Sequence, residues 1–198
     1  MMGLAATASY DFEFLEQFVA DDFVMFPASR ARRGGPLYEI GVSIGHVSWS
    51  LGVGMRILDE IKELAQRKRR EGRATLIDQP TFQRDFARAR ASMEAARAYV
   101  RSAFDDWLGA AEQGYAGLAV RAQGRLAACW ATEIAASVGQ LAYFAAGSDG
   151  VRNEGGNNRL QRCFRDLHAG STHRHVDQNV MLDCSAVLLG INDPNLIL

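Results

Sequence analysis

Residues 160–173 of this chain read LQRCFRDLHAGSTH, and they belong to the last of its predicted helices. A loop rich in glycine and asparagine, residues 147–158 (GSDGVRNEGGNN), stands before them and ends the preceding helical pattern. The last helix is therefore expected to begin at about Arg159. Its distinctive feature is the pair Arg165-Asp166, followed seven residues later by His173.

Three longer helical segments precede this one. The first runs roughly from Leu37 to Arg70 and is stopped near Gly72. The second has Pro80 just inside its start and ends near Gly114, the usual order of proline first and glycine last. Its apolar residues step by four and three, the spacing of a helix face that packs on its neighbours; they are Phe82, Phe86, Ala89, Met93, Ala96, Val100, Ala103 and Trp107.

The third segment repeats this spacing. Its predicted apolar face consists of Leu118, Ala122, Leu126, Trp130, Ile134, Val138, Leu141 and Ala145. Long helices on short connections favour an antiparallel four-helix bundle, and the alanines and glycines within them allow the helices to approach closely. We therefore predict an all-α fold whose bundle covers residues 36–198.

Residues 1–35 differ from the rest of the chain. Tyr10, Phe12 and Phe14 alternate as in a strand, and Phe18-Val19 with residues 21–24 (DDFV) would supply a second extended piece. A strand pair this small is marginal in water by itself. We therefore expect a short extended N-terminal segment that belongs to a larger sheet or lies against the helices, with residues 30–36 (RARRGGP) as a linker.

The composition is that of an ordinary globular protein. The 198 residues are 48% hydrophobic and 23% charged, which suits one well-buried core, and the net charge of -1 gives nucleic acid no overall attraction. No apolar run reaches the ~18 to 20 residues that cross a bilayer, and no signal-peptide leader follows Met1. Cys129, Cys163 and Cys184 lie far apart, without the spacing of a disulfide framework or a zinc site. We expect a cytoplasmic protein with reduced thiols, no membrane span and no nucleic-acid partner.

Four consecutive cations, Arg67-Lys68-Arg69-Arg70, end the first predicted helix. Cations at a helix C-terminus offset the negative end of the helix dipole, so a solvated cap is the simpler interpretation. The alternative is an anion site for a cofactor phosphate, because guanidinium groups hold phosphate in bidentate fashion. The residues alone leave both interpretations open.

Three histidines, His168, His173 and His175, lie close together in the sequence. On a continuous helix 173 and 175 would face different directions, unlike the i,i+4 pair of a helical metal site, so we expect no metal site. His173 by itself is more often a structural residue than a catalytic one. Neutral imidazole can nevertheless donate or accept a proton near physiological pH, which suits a catalytic role.

Residues 160–173 resemble the last core helix of acyl-CoA-dehydrogenase-like flavoproteins, in the form found in their flavin-dependent monooxygenase branch. The resemblance extends to residues 78–83 (DQPTFQ) and 94–97 (EAAR), which are similar to the second bundle helix, and to the helix entry at 33–38 (RGGPLY). Residues 3–11 (GLAATASYD) and 18–19 resemble the end of the family's middle β-domain, with Ala20 in place of a proline. The resemblance implies a β-domain remnant and linker over 1–35 and a four-helix C-terminal domain over 36–198, which together are only the family's C-terminal half.

The residue after His173 distinguishes two branches of this family. In the dehydrogenase branch a catalytic glutamate follows soon after the Arg-Asp pair, whereas here Arg174 occupies that neighbourhood, and a cation cannot serve as the base. His173 falls where the monooxygenase branch places an active-site histidine. The resemblance therefore implies a two-component monooxygenase, in which a separate reductase supplies reduced flavin, FMN or FAD, and O₂ oxygenates a small-molecule substrate.

The same resemblance implies a flavin bound at a subunit interface of a homo-oligomer, a dimer or a tetramer. Arg67 matches the arginine that leads the contact to the phosphate of another subunit's cofactor, and Gln83, Gly147 and Ser148 are expected at the cofactor as well. Two features depart from the dehydrogenases: Pro80 replaces a frequent glutamine, and the glycine-rich turn is altered to AAGS at 145–148.

Two other functions remain open at this point. One is an acyl-CoA dehydrogenase remnant, which would bind oxidised FAD and acyl-CoA. The other is a non-catalytic helical oligomerisation module that kept the packing of the family without its active-site cover.

Overall fold

The computed structural model describes residues 2–7, 11, 13–20, 23, 36–114, 116–152 and 158–191. These residues form six α-helices and two short 3₁₀ turns, the turns covering Ala5–Thr7 and Leu76–Asp78. The helices are α1 (Pro36–Arg67), α2 (Pro80–Glu112), α3 (Leu118–Ala146), α4 (Ser148–Val151), α5 (Arg159–Gly170) and α6 (Gln178–Leu188). The prediction of an all-α fold is confirmed.

The helices alternate in direction around a common core. Helices α1 and α3 run the same way, and α2 and α5 run against them. Contacts along the bundle establish this order: Gly54 with Met93 and Ala135, Gly139 with Ile57 and Leu167, Gly124 with Trp107, and Gly170 with Trp49. Helices α5 and α6 together take the place of the predicted fourth helix.

Local sequence explains where several of the helices begin and end. Pro80 lies in the first turn of α2, where a missing backbone N–H removes no helical hydrogen bond. Gly114 follows the end of α2 with a φ of +111°, a conformation that glycine adopts without strain. At the start of α6 the Asp177 side chain accepts the N–H groups of Asn179 and Val180, the usual arrangement of an N-cap.

The predicted apolar face of α2 is confirmed: its residues are buried, and only Phe86 is partly exposed. Trp107 is its largest member and lies against α3 beside Gly124, where an added Cβ would come 2.3 Å from the Cε3 atom of Trp107. The close approach of α2 and α3 therefore depends on this glycine.

The predicted apolar face of α3 is wrong at two positions, since Leu118 is 41% exposed and Trp130 is 45% exposed. The buried surface of α3 is made chiefly of small residues: Ala127, Ala128, Ala131, Ala135, Gly139, Ala142 and Ala146. Helix α3 contacts α1, α2, α5 and α6. It is enclosed by neighbours at short distances, so its alanines rather than its bulky residues form the core.

Two predicted boundaries are corrected. Helix α1 ends at Arg67 instead of Arg70, because the carbonyl of Lys68 accepts the N–H of Leu76 (2.8 Å) and so belongs to the connection to α2. The fourth helix stops at Gly170, and residues 171–177 form a turn before α6 begins. His173 and His175 therefore lie in a connection between helices and not on a helix face.

The N-terminal residues that the structure describes contain no strand. Tyr10 and Phe12 lie outside the described residues, as do the predicted linker residues 30–35. Phe14 and Phe18 belong to no regular element, and their side chains are exposed. Residues 2–4, by contrast, contact α5, and Gly3 is buried there.

The three cysteines are buried and free. Burial raises the pKa of Cys129 to about 12 and the pKa of Cys184 to about 11, so both remain thiols at neutral pH. Of the helices in the described part of the chain, none combines the length and the apolar character that crossing a bilayer requires.

Candidate functional site

Three histidine rings are stacked at one end of the bundle. His46 comes from α1, while His173 and His175 come from the connection between α5 and α6. The ring centroids of His46 and His173 are 5.0 Å apart, and those of His173 and His175 are 5.3 Å apart. Among the described residues, no three His, Cys, Asp or Glu side chains converge in a way that would hold a metal ion.

A backbone hydrogen bond determines which nitrogen of His173 can donate. The N–H of His175 donates to Nδ1 of His173 over 3.3 Å. Because Nδ1 acts as an acceptor there, the neutral imidazole of His173 carries its hydrogen on Nε2. The exposed His173 ring is therefore arranged as a hydrogen-bond donor.

The backbone around His173 is anchored on both sides. The N–H of His173 donates to the carbonyl of Gly170 (3.1 Å), and its own carbonyl accepts the N–H of the buried Val176 (2.9 Å). Arg125, a buried residue of α3, donates to the carbonyl of His175 over 3.4 Å. These contacts hold the connection in place although it is not helical.

His46 is a partly buried member of the ring stack. Burial, together with the nearby His173 and His175, lowers the pKa of His46 to about 4, so its ring is neutral at physiological pH. Its Nε2 atom is buried without a hydrogen-bond partner among the described residues. Burial and the cationic Arg125 also lower the pKa of His175. His46 therefore contributes an uncharged ring to the wall of the site.

Trp49 lies one helical turn after His46, and the two ring centroids are 5.3 Å apart. The Trp49 ring covers Gly170 so closely that a Cβ there would lie 2.2 Å from its Cη2 atom. Both rings line a cleft of about 520 Å³. Its described lining contains no Asp, Glu, Lys or Arg side chain; it consists of Met2, Gly3, Leu4, Thr7, His46, Trp49, Ala169, Gly170, Thr172 and His173.

A second, strongly charged region lies where α1 ends. Here Arg67 and Lys68 line a cleft together with Ser148 and Asp149 of α4. The ammonium of Lys68 forms an ion pair with Asp149, and this contact lowers the pKa of the Asp149 carboxyl. An added Cβ on Gly147 would lie 3.2 Å from a guanidinium nitrogen of Arg70. All four cations of residues 67–70 thus lie beside Gly147 and Ser148 of the AAGS turn.

The structure does not bring Gln83 into this group. Its side-chain amide donates to the carbonyl of Ile77 (2.9 Å), and it is not among the described residues that line this cleft. The two sites are also far from each other. Because an α-helix rises about 1.5 Å per residue, His46 and Arg67 are roughly 30 Å apart along α1.

The sequence matches a known family over the residues that form this site. Residues 44–178 match the family model described as acyl-CoA dehydrogenase, C-terminal domain. The chain belongs to this family. The matched region contains His46, Trp49, Arg165, Asp166 and His173, so the ring-lined cleft lies within the family domain apart from residues 2–7.

A curated relative of this chain is a monooxygenase by name. Indole-3-acetate monooxygenase of Pseudomonas putida is 26% identical over an alignment that covers 96% of this chain and 49% of that protein. The chain therefore spans about half the length of this curated relative.

Solved structures show the same fold. The 3-HSA hydroxylase from Rhodococcus sp. RHA1 aligns with a TM-score of 0.69 and 21% identity over 84% of this chain and 44% of that one. The HsaA monooxygenase from M. tuberculosis gives a TM-score of 0.61 and 19% identity over 84% and 42%. XiaF from Streptomyces sp., in complex with FADH2 and glycerol, gives a TM-score of 0.69 and 21% identity over 78% of this chain and 39% of that one.

Two residues that line the His173 cleft, His46 and Trp49, were not predicted from the sequence. His46 and Trp49 are three residues apart on α1, a spacing that places them on one face of the helix. A histidine and a tryptophan together on a helix face are the one signal that would have pointed to them. Asp149 was missed as well, since the loop pattern around it predicted no helix and no ion pair.

Proposed function

We propose that this chain supplies the helical half of a two-component flavin-dependent monooxygenase, in which His173 is the catalytic hydrogen-bond donor. The observation that carries the proposal is the arrangement of His173. Its Nδ1 accepts the N–H of His175, and its ring borders an uncharged cleft walled by His46 and Trp49. A donor fixed at such a place would stabilise oxygen atoms that gain negative charge during a reaction.

The residues present fit a flavin at both sites. The ring-walled cleft suits a flat, largely uncharged ring system, and the cations around Arg67 suit a phosphate. When bound, a reduced flavin supplies the electrons for the reaction with O₂. A separate flavin reductase would deliver it, and such a supply together with free thiols fits a cytoplasmic location.

The separation of the two sites supports assembly into a homo-oligomer. FMN is shorter than the roughly 30 Å between His46 and Arg67 along α1. The cleft and the cations of one chain would therefore serve different cofactor molecules. Each flavin would lie between two subunits, with its ring at the His173 cleft of one chain and its phosphate at the Arg67 cluster of another.

The chain's own residues would bind the substrate and exclude water. Trp49 and the neutral His46 line the cleft, and so do Met2, Gly3, Leu4 and Thr7. Removal of water strengthens the hydrogen bond from His173, since it acts in a medium of lower dielectric constant. The volume and the uncharged lining favour a small, uncharged substrate.

The same cleft argues against acyl-CoA dehydrogenation. That reaction needs a carboxylate that removes a proton from the substrate, and no carboxylate is among the described residues that line the cleft. The nearest acid on α5, Asp166, accepts the backbone N–H of Leu4 (2.7 Å). Arg174 beside His173 is exposed and offers no base.

Anaerobic titration of the purified chain with reduced FMN and reduced FAD tests the proposal. We expect binding that weakens by about tenfold in Arg67→Ala, as the loss of one charged hydrogen bond would give. Arg101→Ala, an exposed arginine of α2, is the matched control and should bind like the parent. Absence of binding to both flavins, or equal binding by both arginine variants, would contradict the proposal.

A non-catalytic oligomerisation module is the second candidate, and exposed apolar side chains favour it. In and just after α6, Leu182, Leu188 and Leu189 are 65%, 53% and 73% exposed. Residues of this kind often mark interfaces. Light scattering after size exclusion distinguishes the candidates when combined with the titration: a stable dimer or tetramer without flavin binding supports the module alone.

A further inference from the structure

The N-terminal strap, residues 2–7, forms one wall of the His173 cleft although it lies outside the bundle. Four of its residues line the cleft together with His46 and Trp49: Met2, Gly3, Leu4 and Thr7. The accessibility of this cleft to water therefore depends on what holds the strap in position.

Two neighbouring side chains of α5 hold the strap by its backbone. The carboxylate of Asp166 accepts the N–H of Leu4 over 2.7 Å. The guanidinium of Arg165 donates to the carbonyl of Met2 over 3.1 Å. Hydrogen bonds to ionised groups are stronger than those between neutral groups, so this pair is well suited to fix a segment without regular structure.

The strap also meets α5 in direct backbone contact. Gly3 is buried between the two hydrogen bonds, and an added Cβ there would lie 2.1 Å from the carbonyl oxygen of Arg165. That oxygen belongs to the helix backbone and cannot move aside. Any larger residue at position 3 would therefore displace the strap from α5.

The conformation of Leu4 shows that the strap is held under strain. Its φ is +52°, a left-handed conformation that a branched side chain rarely adopts. The N–H of Leu4 is bound by Asp166, and its carbonyl accepts both the N–H (3.0 Å) and the hydroxyl (2.8 Å) of Thr7. These contacts stabilise a turn that the sequence alone does not favour.

We propose that Asp166 is a positioning residue for the His173 site, because it holds the strap across the cleft. Asp166 lies four residues before Gly170, which places its hydrogen bond to the strap about 6 Å along α5 from the glycine that the Trp49 ring covers. Loss of the hydrogen bond between Asp166 and Leu4 should release the strap and open the cleft to water. A role for Asp166 in a reaction rests on the proposed function. The opening of the cleft on loss of Asp166 does not depend on that function.

Trp49 supplies a reporter for the strap that needs no ligand. Trp130→Phe removes the exposed tryptophan, and Trp107 is 2% exposed, so quenching of fluorescence by acrylamide then reports mainly on Trp49. In this background Asp166→Ala should raise the quenching constant by about twofold, as local opening exposes the ring. Asp166→Asn should stay near the parent value, because its amide oxygen can still accept the N–H of Leu4.

Two further variants complete the test. Asp106→Ala removes an exposed carboxylate of α2 and should leave the quenching of Trp49 unchanged. Gly3→Ala should raise it as Asp166→Ala does, by displacing the strap directly, and it decides the matter if Asp166→Ala does not fold. Parent-like quenching in Gly3→Ala, or in a folded Asp166→Ala that melts at a lower temperature, would overturn the inference. A chain with the expected quenching pattern but without affinity for reduced flavin would refute the proposed function alone.

Discussion

The partly buried His46 ring makes the stability of the fold depend on pH in a predictable direction. Its pKa is lowered to about 4 in the folded chain from an ordinary value of 6.5. Below pH 6.5 this histidine is therefore protonated in the unfolded chain. In the folded chain it stays neutral until the pH falls to about 4. The contribution of His46 is complete above pH 6.5 and is lost as the pH falls toward 4.

The size of this effect follows from the two pKa values. At pH 5 the full shift corresponds to about 2 kcal/mol of lost stability. His46 is only partly buried, so solvent screening reduces the expected loss to about 1 kcal/mol. In His46→Gln, which cannot titrate at this position, the loss between pH 8 and pH 5 should be smaller than in the parent by that amount.

Urea unfolding followed by circular dichroism measures this difference. The free energy of unfolding is determined at pH 8 and pH 5 for the parent and for His46→Gln, and the two differences are compared. The free energies of unfolding at pH 8 serve as the control. At that pH His46 is neutral in both states, so the two proteins differ only by the effect of the substitution itself. Equal pH dependence of the two proteins would refute the assignment of His46 as a buried neutral ring.

Two further predictions concern the core and the charged region. Gly124→Ala forces a Cβ to within 2.3 Å of Trp107 and should destabilise the chain by about 2 kcal/mol, seen as a melting temperature lower by roughly 4–8 °C. Gly52→Ala, with open space around it, should instead raise the melting temperature through better helix propensity; equal shifts would contradict the packing argument. Asp149→Asn frees Lys68 from its carboxylate partner and should tighten binding of inorganic pyrophosphate in calorimetry, with an unchanged affinity counting against an anion site there.

The helices that could be predicted are those whose bulky residues face the core. Helix α2 packs one face on its neighbours, and its predicted residues from Phe82 to Trp107 are the ones that lie there. Helix α3 is enclosed by four other helices, so alanines and glycines form most of its buried surface. Hydrophobic periodicity gives little weight to such residues, and it selected the exposed Leu118 and Trp130 instead.

The site was predictable in part for a similar reason. The resemblance of residues 160–173 pointed to His173, and its position in the ring-walled cleft is compatible with that hypothesis. The close contact of the Trp49 ring with Gly170 could not be predicted, because it joins residues far apart in the sequence. The strap contact of Asp166 joins residues far apart in the sequence, and local patterns contain no information about such a contact.

Long-range ¹H–¹⁵N correlation spectra of the histidine side chains test most directly which ring nitrogen of His173 carries the hydrogen. His173→Gln identifies the His173 signals by their loss. At pH 8 the neutral ring should carry its hydrogen on Nε2, with Nδ1 unprotonated, and its signals should shift when reduced FMN is added anaerobically. A hydrogen on Nδ1, or signals that reduced flavin leaves unchanged, would contradict the role of His173 as the donor in this cleft.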